Sequence, residues 1–179
     1  MNDEKAKDFI LQSGLLVGLI LGIIILVSYF MGVDIMVSWW VSLLNLGLGI
    51  GAPIYFGIKW RNMQEGFLDF KMSFLVIFLV FAVSAFISTL FNITLYTVID
   101  PDLSEAVFSE AVEKTAGMME KFGTPQDKID EVVDEMERNN TKPDLWSFLE
   151  GYLYYLLFGI AIGLIGGAII KRNKPIFDE

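Results

Sequence analysis

The chain contains no cysteine and no histidine. Their absence removes disulfides, zinc sites built from nitrogen or sulfur ligands, cysteine nucleophiles and histidine general bases. Positive charge is also scarce: the formal net charge is -9, and a phosphate-binding surface must be basic, so nucleic acid is not expected as a partner. The acidity is concentrated. Residues 100–144 hold 13 acidic against five basic side chains, a local net of -8, and the rest of the chain is nearly balanced.

What is abundant is apolar. Hydrophobic residues make up 54% of the sequence and the mean hydropathy is +0.55, against about 45–50% apolar in soluble domains. A bilayer about 30 Å thick in its hydrocarbon is crossed by about 20 apolar residues in a helix. Four stretches meet that length, at about 9–31, 35–58, 72–99 and 145–170. The first three contain no charged residue, and the fourth contains only Glu150. The expected fold is therefore an all-α integral membrane protein, with four transmembrane helices and an extracytoplasmic amphipathic helical hairpin between the third and fourth. Its parts are 1–99, 100–144 and 145–179, the last including a basic cytoplasmic tail.

Lys5 and Lys7 precede the first stretch as they would a secretory signal, but the apolar run is too long and Ser28-Tyr29-Phe30-Met31 offers no small-residue cleavage site. It reads as a retained helix. In the Gly32-Val33-Asp34 connection, glycine suits a helix end and aspartate a following cap. Lys5, Lys7, Lys59, Arg61, Lys71, Lys171, Arg172 and Lys174 fall on one side of the four crossings, and such residues collect in the cytoplasm. Both termini are expected there. Trp39, Trp40 and Trp146 should mark the outer boundary and Trp60 the inner one.

In the acidic segment, Asp100-Pro101 reads as a cap and first-turn proline, with Leu103, Val107, Val112, Met119 and Phe122 following at near-helical spacing. Gly123 should end that helix and Thr124-Pro125 begin another, whose apolar face is Ile129, Val132, Val133 and Met136. Asp127, Asp130, Glu131, Asp134 and Glu135 line its other side as a solvated acidic face, with no looped calcium-binding pattern. Glu110 with Lys114 and Asp134 with Arg138 are supporting pairs four residues apart. The stretch from Asn139 to Pro143, containing Thr141 and Lys142, should break the helix.

This order of features resembles a bacterial family, the domain of unknown function 4199. The resemblance is carried by Gly66-Phe67-Leu68-Asp69-Phe70 before the third crossing, Ile99-Asp100-Pro101 after it, the acidic insert, and the tail Lys171-Arg172-Asn173-Lys174-Pro175-Ile176-Phe177. It implies a bacterial inner (cytoplasmic) membrane and a periplasmic hairpin. It brings no activity, ligand or functional residue.

Four sets of residues invite a functional reading. Glycines recur every fourth position as Gly14, Gly18 and Gly22, as Gly47 and Gly51, and as Gly159, Gly163 and Gly167. Such rows let helices approach closely, so they should face other helices, within the bundle or in a homo-oligomer. Asn45 and Asn92 are uncommon polar groups inside crossings, and Ser84, Ser88 and Asn92 share a face. Glu150 reads as a solvated acid or, if buried, as a proton carrier. Pro53 can kink the second crossing as a gate or for packing alone. No residues indicate catalysis, a cofactor or a metal. The leading expectation is a non-enzymatic membrane scaffold or interaction protein, in contact with the lipid bilayer and presenting the hairpin to a basic extracytoplasmic protein. The alternative is a small transporter or channel using Asn45, Asn92 and Glu150.

Overall fold

A computed structural model describes residues 3–140 and 143–174. Thr141, Lys142, Pro175, Ile176 and Phe177, which figure in the sequence reading, lie outside the described residues. Those described form seven α-helices: α1 (Asp3–Met31), α2 (Val33–Met36), α3 (Trp39–Met63), α4 (Phe70–Thr94), α5 (Leu103–Lys121), α6 (Gln126–Asn139) and α7 (Leu145–Ile170). α1, α3, α7, and α4 with the π-helical turn Leu95–Ile99 that continues it, are long and apolar enough to cross a membrane. Four helices of the length and hydropathy that crossings need are thus present.

α1 and α7 both pack along α4, and α3 touches all three. Glycine sets the closeness of these contacts. A Cβ on Gly14 or Gly18 would lie 2.5 Å from the Val83 Cβ or 2.6 Å from the Ile87 Cβ, so α1 meets α4 nearly backbone to side chain. On the other side, Gly159 abuts Phe81, Gly163 abuts Phe74 and Phe78, and Gly167 abuts the Phe74 backbone. Gly22 faces the Phe91 ring. Both rows lie where α1 and α7 approach α4.

Gly47 and Gly51 lie differently. Neither has an atom within 4 Å of where a Cβ would stand, so this row faces away from the bundle. The close approach of α3 is made instead by Gly57, against Ile77 and Ile170. The reason is a division of α3 near Pro53. Pro53, Gly57 and Trp60 are buried, whereas in the first half Val41 is buried but Leu43, Leu44 and Leu46 are exposed. Pro53 also has no N–H to donate to the Gly49 carbonyl, so the helix is weakened where its packing changes.

Trp60 differs as well. It is not a boundary anchor but a core residue, 2% exposed, with its ring centroid 5.0 Å from that of Phe9 and Ala6, Ile10, Leu68, Val76 and Val80 in the same cluster. Trp39, Trp40 and Trp146 are exposed. They sit at or next to helix starts.

At the tail end, α3 closes with Glu65 and Gly66 in left-handed conformations. Leu68 and Arg172 form an antiparallel bridge, and the Arg61 guanidinium donates to the Ile170 carbonyl at 3.0 Å. Two of the segments that carry the family resemblance, the one before α4 and the start of the tail, therefore meet through Leu68 and Arg172. At the opposite end, α5 and α6 form the expected hairpin. The left-handed Gly123 ends α5, with its N–H bonded to Glu120 O and that of Thr124 to Met119 O, a Schellman arrangement.

The hairpin's caps differ in detail from the reading. Asp100 does not cap α5; it accepts from the Tyr29 hydroxyl at 3.2 Å, and its amide donates to Leu95 O, closing the π turn. Asp102 and Pro125, not Asp100 and Thr124, occupy the cap positions, without side-chain bonds. Asp34 does not cap α3; it lies in α2, and its carbonyl accepts from the Lys114 ammonium. Leu103 and Ile129 are buried, but Phe122 is 83% exposed because the chain turns away at Gly123. Arg138 bonds the Asp134 carbonyl rather than its carboxylate, while Lys114 pairs with Glu110 at 3.5 Å.

Candidate functional site

Where the first half of α3 stands off the bundle, a cavity of about 420 Å³ remains. Residues of α1, α2, α3, α4 and α7 line it, from Leu21 and Ile25 to Tyr155 and Phe158. Its polar groups are Ser42 and Asn45 on α3, Ser84, Ser88, Thr89 and Asn92 on α4, and Tyr155 on α7. No lining residue is charged. Asn45 and Asn92, expected as intramembrane polar groups, are thus brought to one place with the serines that share the Asn92 face.

Glu150 is not brought there. It is exposed and accepts from the Trp146 indole N–H at 2.7 Å, because it lies one turn along α7 from that ring at the hairpin end. The nearest α7 contributions to the cavity, Tyr155 and Phe158, lie further along the helix. Glu150 is therefore no part of this site.

Each amide is first satisfied by its own helix. The Asn45 side-chain nitrogen donates to Val41 O at 2.9 Å and that of Asn92 to Ser88 O at 3.0 Å. Ser84, 1% exposed, donates to Phe81 O at 2.8 Å. Such back-bonding lets a polar side chain sit at membrane depth without a partner helix. It also leaves the cavity lined by polar groups that do not bond one another.

The four-residue spacing of Ser84, Ser88 and Asn92 was a signal for this patch. Ser42, three residues before Asn45, carried the same signal on α3 and was missed. Tyr155 and Phe158 carried none, since aromatic residues in a crossing are ordinary lining. Around the hairpin, Asp127, Asp130, Glu131, Asp134 and Glu135 are all exposed. Among the described residues no three carboxylates converge on a common point.

Neither a curated protein nor a solved structure matches the chain. A family model does, and its span begins inside α1 and ends at the residue that pairs with Leu68. Residues 12–172 match the family described as Protein of unknown function (DUF4199), and the chain belongs to that family.

Proposed function

We propose that this protein binds a small uncharged ligand within the membrane, in the cavity between the first half of α3 and the rest of the bundle. The observation that carries the reading is the convergence of Asn45 and Asn92, from two helices, on one cavity of about 420 Å³. That volume is within the range of about 300–1,000 Å³ typical of ligand sites, which are mostly apolar with a few placed polar groups. The absence of charge from the lining favours a neutral molecule over an ion. Apart from the Tyr155 phenol the lining holds no titratable side chain, which supports a non-enzymatic role.

In this reading the basic residues near the tail end lie in the cytoplasm of a bacterium, with both termini, and the hairpin projects outside the inner membrane. A second role rests on the outward carboxylates of α6. Their field would attract a basic protein partner, with a range of about 8 Å at physiological salt. Gly47 and Gly51, facing no helix of their own chain, are the natural row for a homo-oligomer. Loss of salt-sensitive crosslinks on deleting residues 101–140 tests the partner role; unchanged crosslinks would reduce the hairpin to a connector.

The ligand reading is tested by photolabelling the protein in lipid nanodiscs with an uncharged probe, a diazirine-bearing dodecyl methyl ether. Label should concentrate on peptides containing 45–50 and 81–92. Filling the cavity with Ala85→Phe and Ser88→Leu should remove that concentration. Even labelling of every lipid-facing helix surface, unaltered by the filling, would defeat the reading.

A further inference from the structure

We infer that the cavity selects an uncharged alcohol with an aliphatic chain, drawn from the bilayer, whose hydroxyl is received between Asn45 and Asn92. This rests on the ligand-binding reading above and names its ligand class. The argument begins with where the patch directs its protons. Ser42 donates to Ser38 O at 3.3 Å, Asn45 to Val41 O, Ser84 to Phe81 O and Asn92 to Ser88 O. A backbone carbonyl can only accept, so each amide must turn its nitrogen toward the helix and its oxygen away. Each of these two serine hydroxyls has its single proton committed in the same way, leaving lone pairs.

These four groups therefore present acceptors to the cavity, while Ser88, Thr89 and Tyr155 in the same lining keep hydroxyls that can donate or accept. Neither amide oxygen accepts a hydrogen bond among the described residues, and each amide nitrogen keeps one further N–H. The complement is a group that donates and also accepts. A carboxylate or phosphate could accept from the hydroxyls but not give a proton to either amide oxygen, and it would bring an uncompensated charge to a lining that holds none. An ammonium would donate well, but no carboxylate lines the cavity, and an uncompensated charge at membrane depth is strongly disfavoured. A hydroxyl satisfies both sides: its proton goes to one amide oxygen, and its oxygen accepts the spare N–H of the other amide.

The remainder of the ligand follows from the rest of the lining. Leu21, Ile25, Val41, Ile50, Phe81 and Phe158 give an apolar wall, which suits a chain more than a short water-borne alcohol. Leu46, at the edge of the same cavity, is 49% exposed, so the site borders the outer surface of α3. A chain-bearing alcohol already dissolved in the bilayer meets it there.

The test compares two probes at equal mole fraction in nanodiscs: diazirine-bearing dodecanol and its methyl ether, which differ in the donor alone. Unsubstituted protein should take the alcohol label on 45–50 and 81–92 about fivefold more than the ether, as one hydrogen bond inside a membrane bundle would give. In the double variant Asn45→Leu and Asn92→Leu the two probes should label alike. A monoacylglycerol should compete with the label and butanol should not. If both probes label the cavity equally in the unsubstituted protein, the alcohol preference is wrong while the ligand reading stands. If neither favours the cavity, both are wrong. Competition by butanol but not by monoacylglycerol would overturn the bilayer source. The unsubstituted protein alone decides the first comparison, so a variant that misfolds leaves it intact.

Discussion

Leu68 and Arg172 exchange both of their backbone hydrogen bonds, the amide of each donating to the carbonyl of the other at 2.8 and 2.7 Å. This joins the loop before α4 to the residue two beyond the end of α7. The nearby Lys174 and Glu65 pair, at 3.3 Å, is largely exposed and contributes little for that reason. Arg172→Pro removes one of the two bridge bonds without touching a buried side chain. We expect it to lower stability by about 1–2 kcal/mol, and Lys174→Ala by less than about 0.5 kcal/mol. Denaturant unfolding of reconstituted protein measures both; equal effects would show that the bridge is not what holds the tail.

The glycine rows give opposite predictions for one substitution. In Gly18→Ala the new methyl would stand 2.6 Å from the Ile87 Cβ and 2.9 Å from the Ser84 carbonyl, forcing the helices apart at a cost of about 1–3 kcal/mol. Gly47→Ala meets nothing of its own chain within 4 Å and should leave the fold of the single bundle unchanged or slightly stabilised, any effect being confined to the homo-oligomer. Gly163→Leu, against the Phe74 ring at 3.0 Å, should impair folding more than Leu156→Ala. Protease resistance in detergent ranks the four variants. Equal tolerance of Gly18→Ala and Gly47→Ala would contradict the close packing of α1 on α4.

These rows also show what a sequence makes legible. Spacing identified all three, because a four-residue repeat puts residues on one face whatever surrounds the helix. It did not tell which row is covered, since that depends on where α3 leaves the bundle. The four crossings were readable because lipid demands length and hydrophobicity from each helix separately. The cavity was half readable: Asn45, Ser84, Ser88 and Asn92 are anomalies against an apolar background, whereas their meeting and the departure of Glu150 depend on helix rotation. Trp60 was misplaced because an indole near a crossing's end serves equally as anchor or core.

The start of α7 should respond to acid. The Asp144 carboxylate accepts from the Ser147 amide at 2.8 Å and the Ser147 hydroxyl at 2.7 Å, and these bonds, the amide foremost, hold its pKa below the ordinary 3.8. A carboxyl lowered on folding stabilises fully above its ordinary value, and the contribution is lost as pH falls through the folded value. Amide exchange protection in the first turn of α7, around 146–148, should therefore hold from neutral pH down to about 4 and decline below it. In Asp144→Asn that decline should be absent. A decline of the same size in the variant would assign it to another group.

Topology is measurable directly. Reporters at the N-terminus, in the Arg61 to Asp69 loop and after the tail should read cytoplasmic, and one inserted at Gly123 external, given the placement of lysine and arginine. An external signal from the loop would reverse the proposed orientation.

The packing of α4 also bears on the order in which the protein can be made. α1 and α7 lie along α4, so the main partner of each is the third crossing to leave the ribosome. During synthesis α1 and α3 enter the membrane before that partner exists, and α1 then exposes Gly14, Gly18 and Gly22 to lipid instead of to α4. A nascent chain cut off before residue 70 would hold two inserted helices with no central one. Assembly of the bundle therefore waits on α4, and until α7 follows, the opposite side of α4, with Phe74 and Phe81, stays open to any other small-residue helix in the same bilayer.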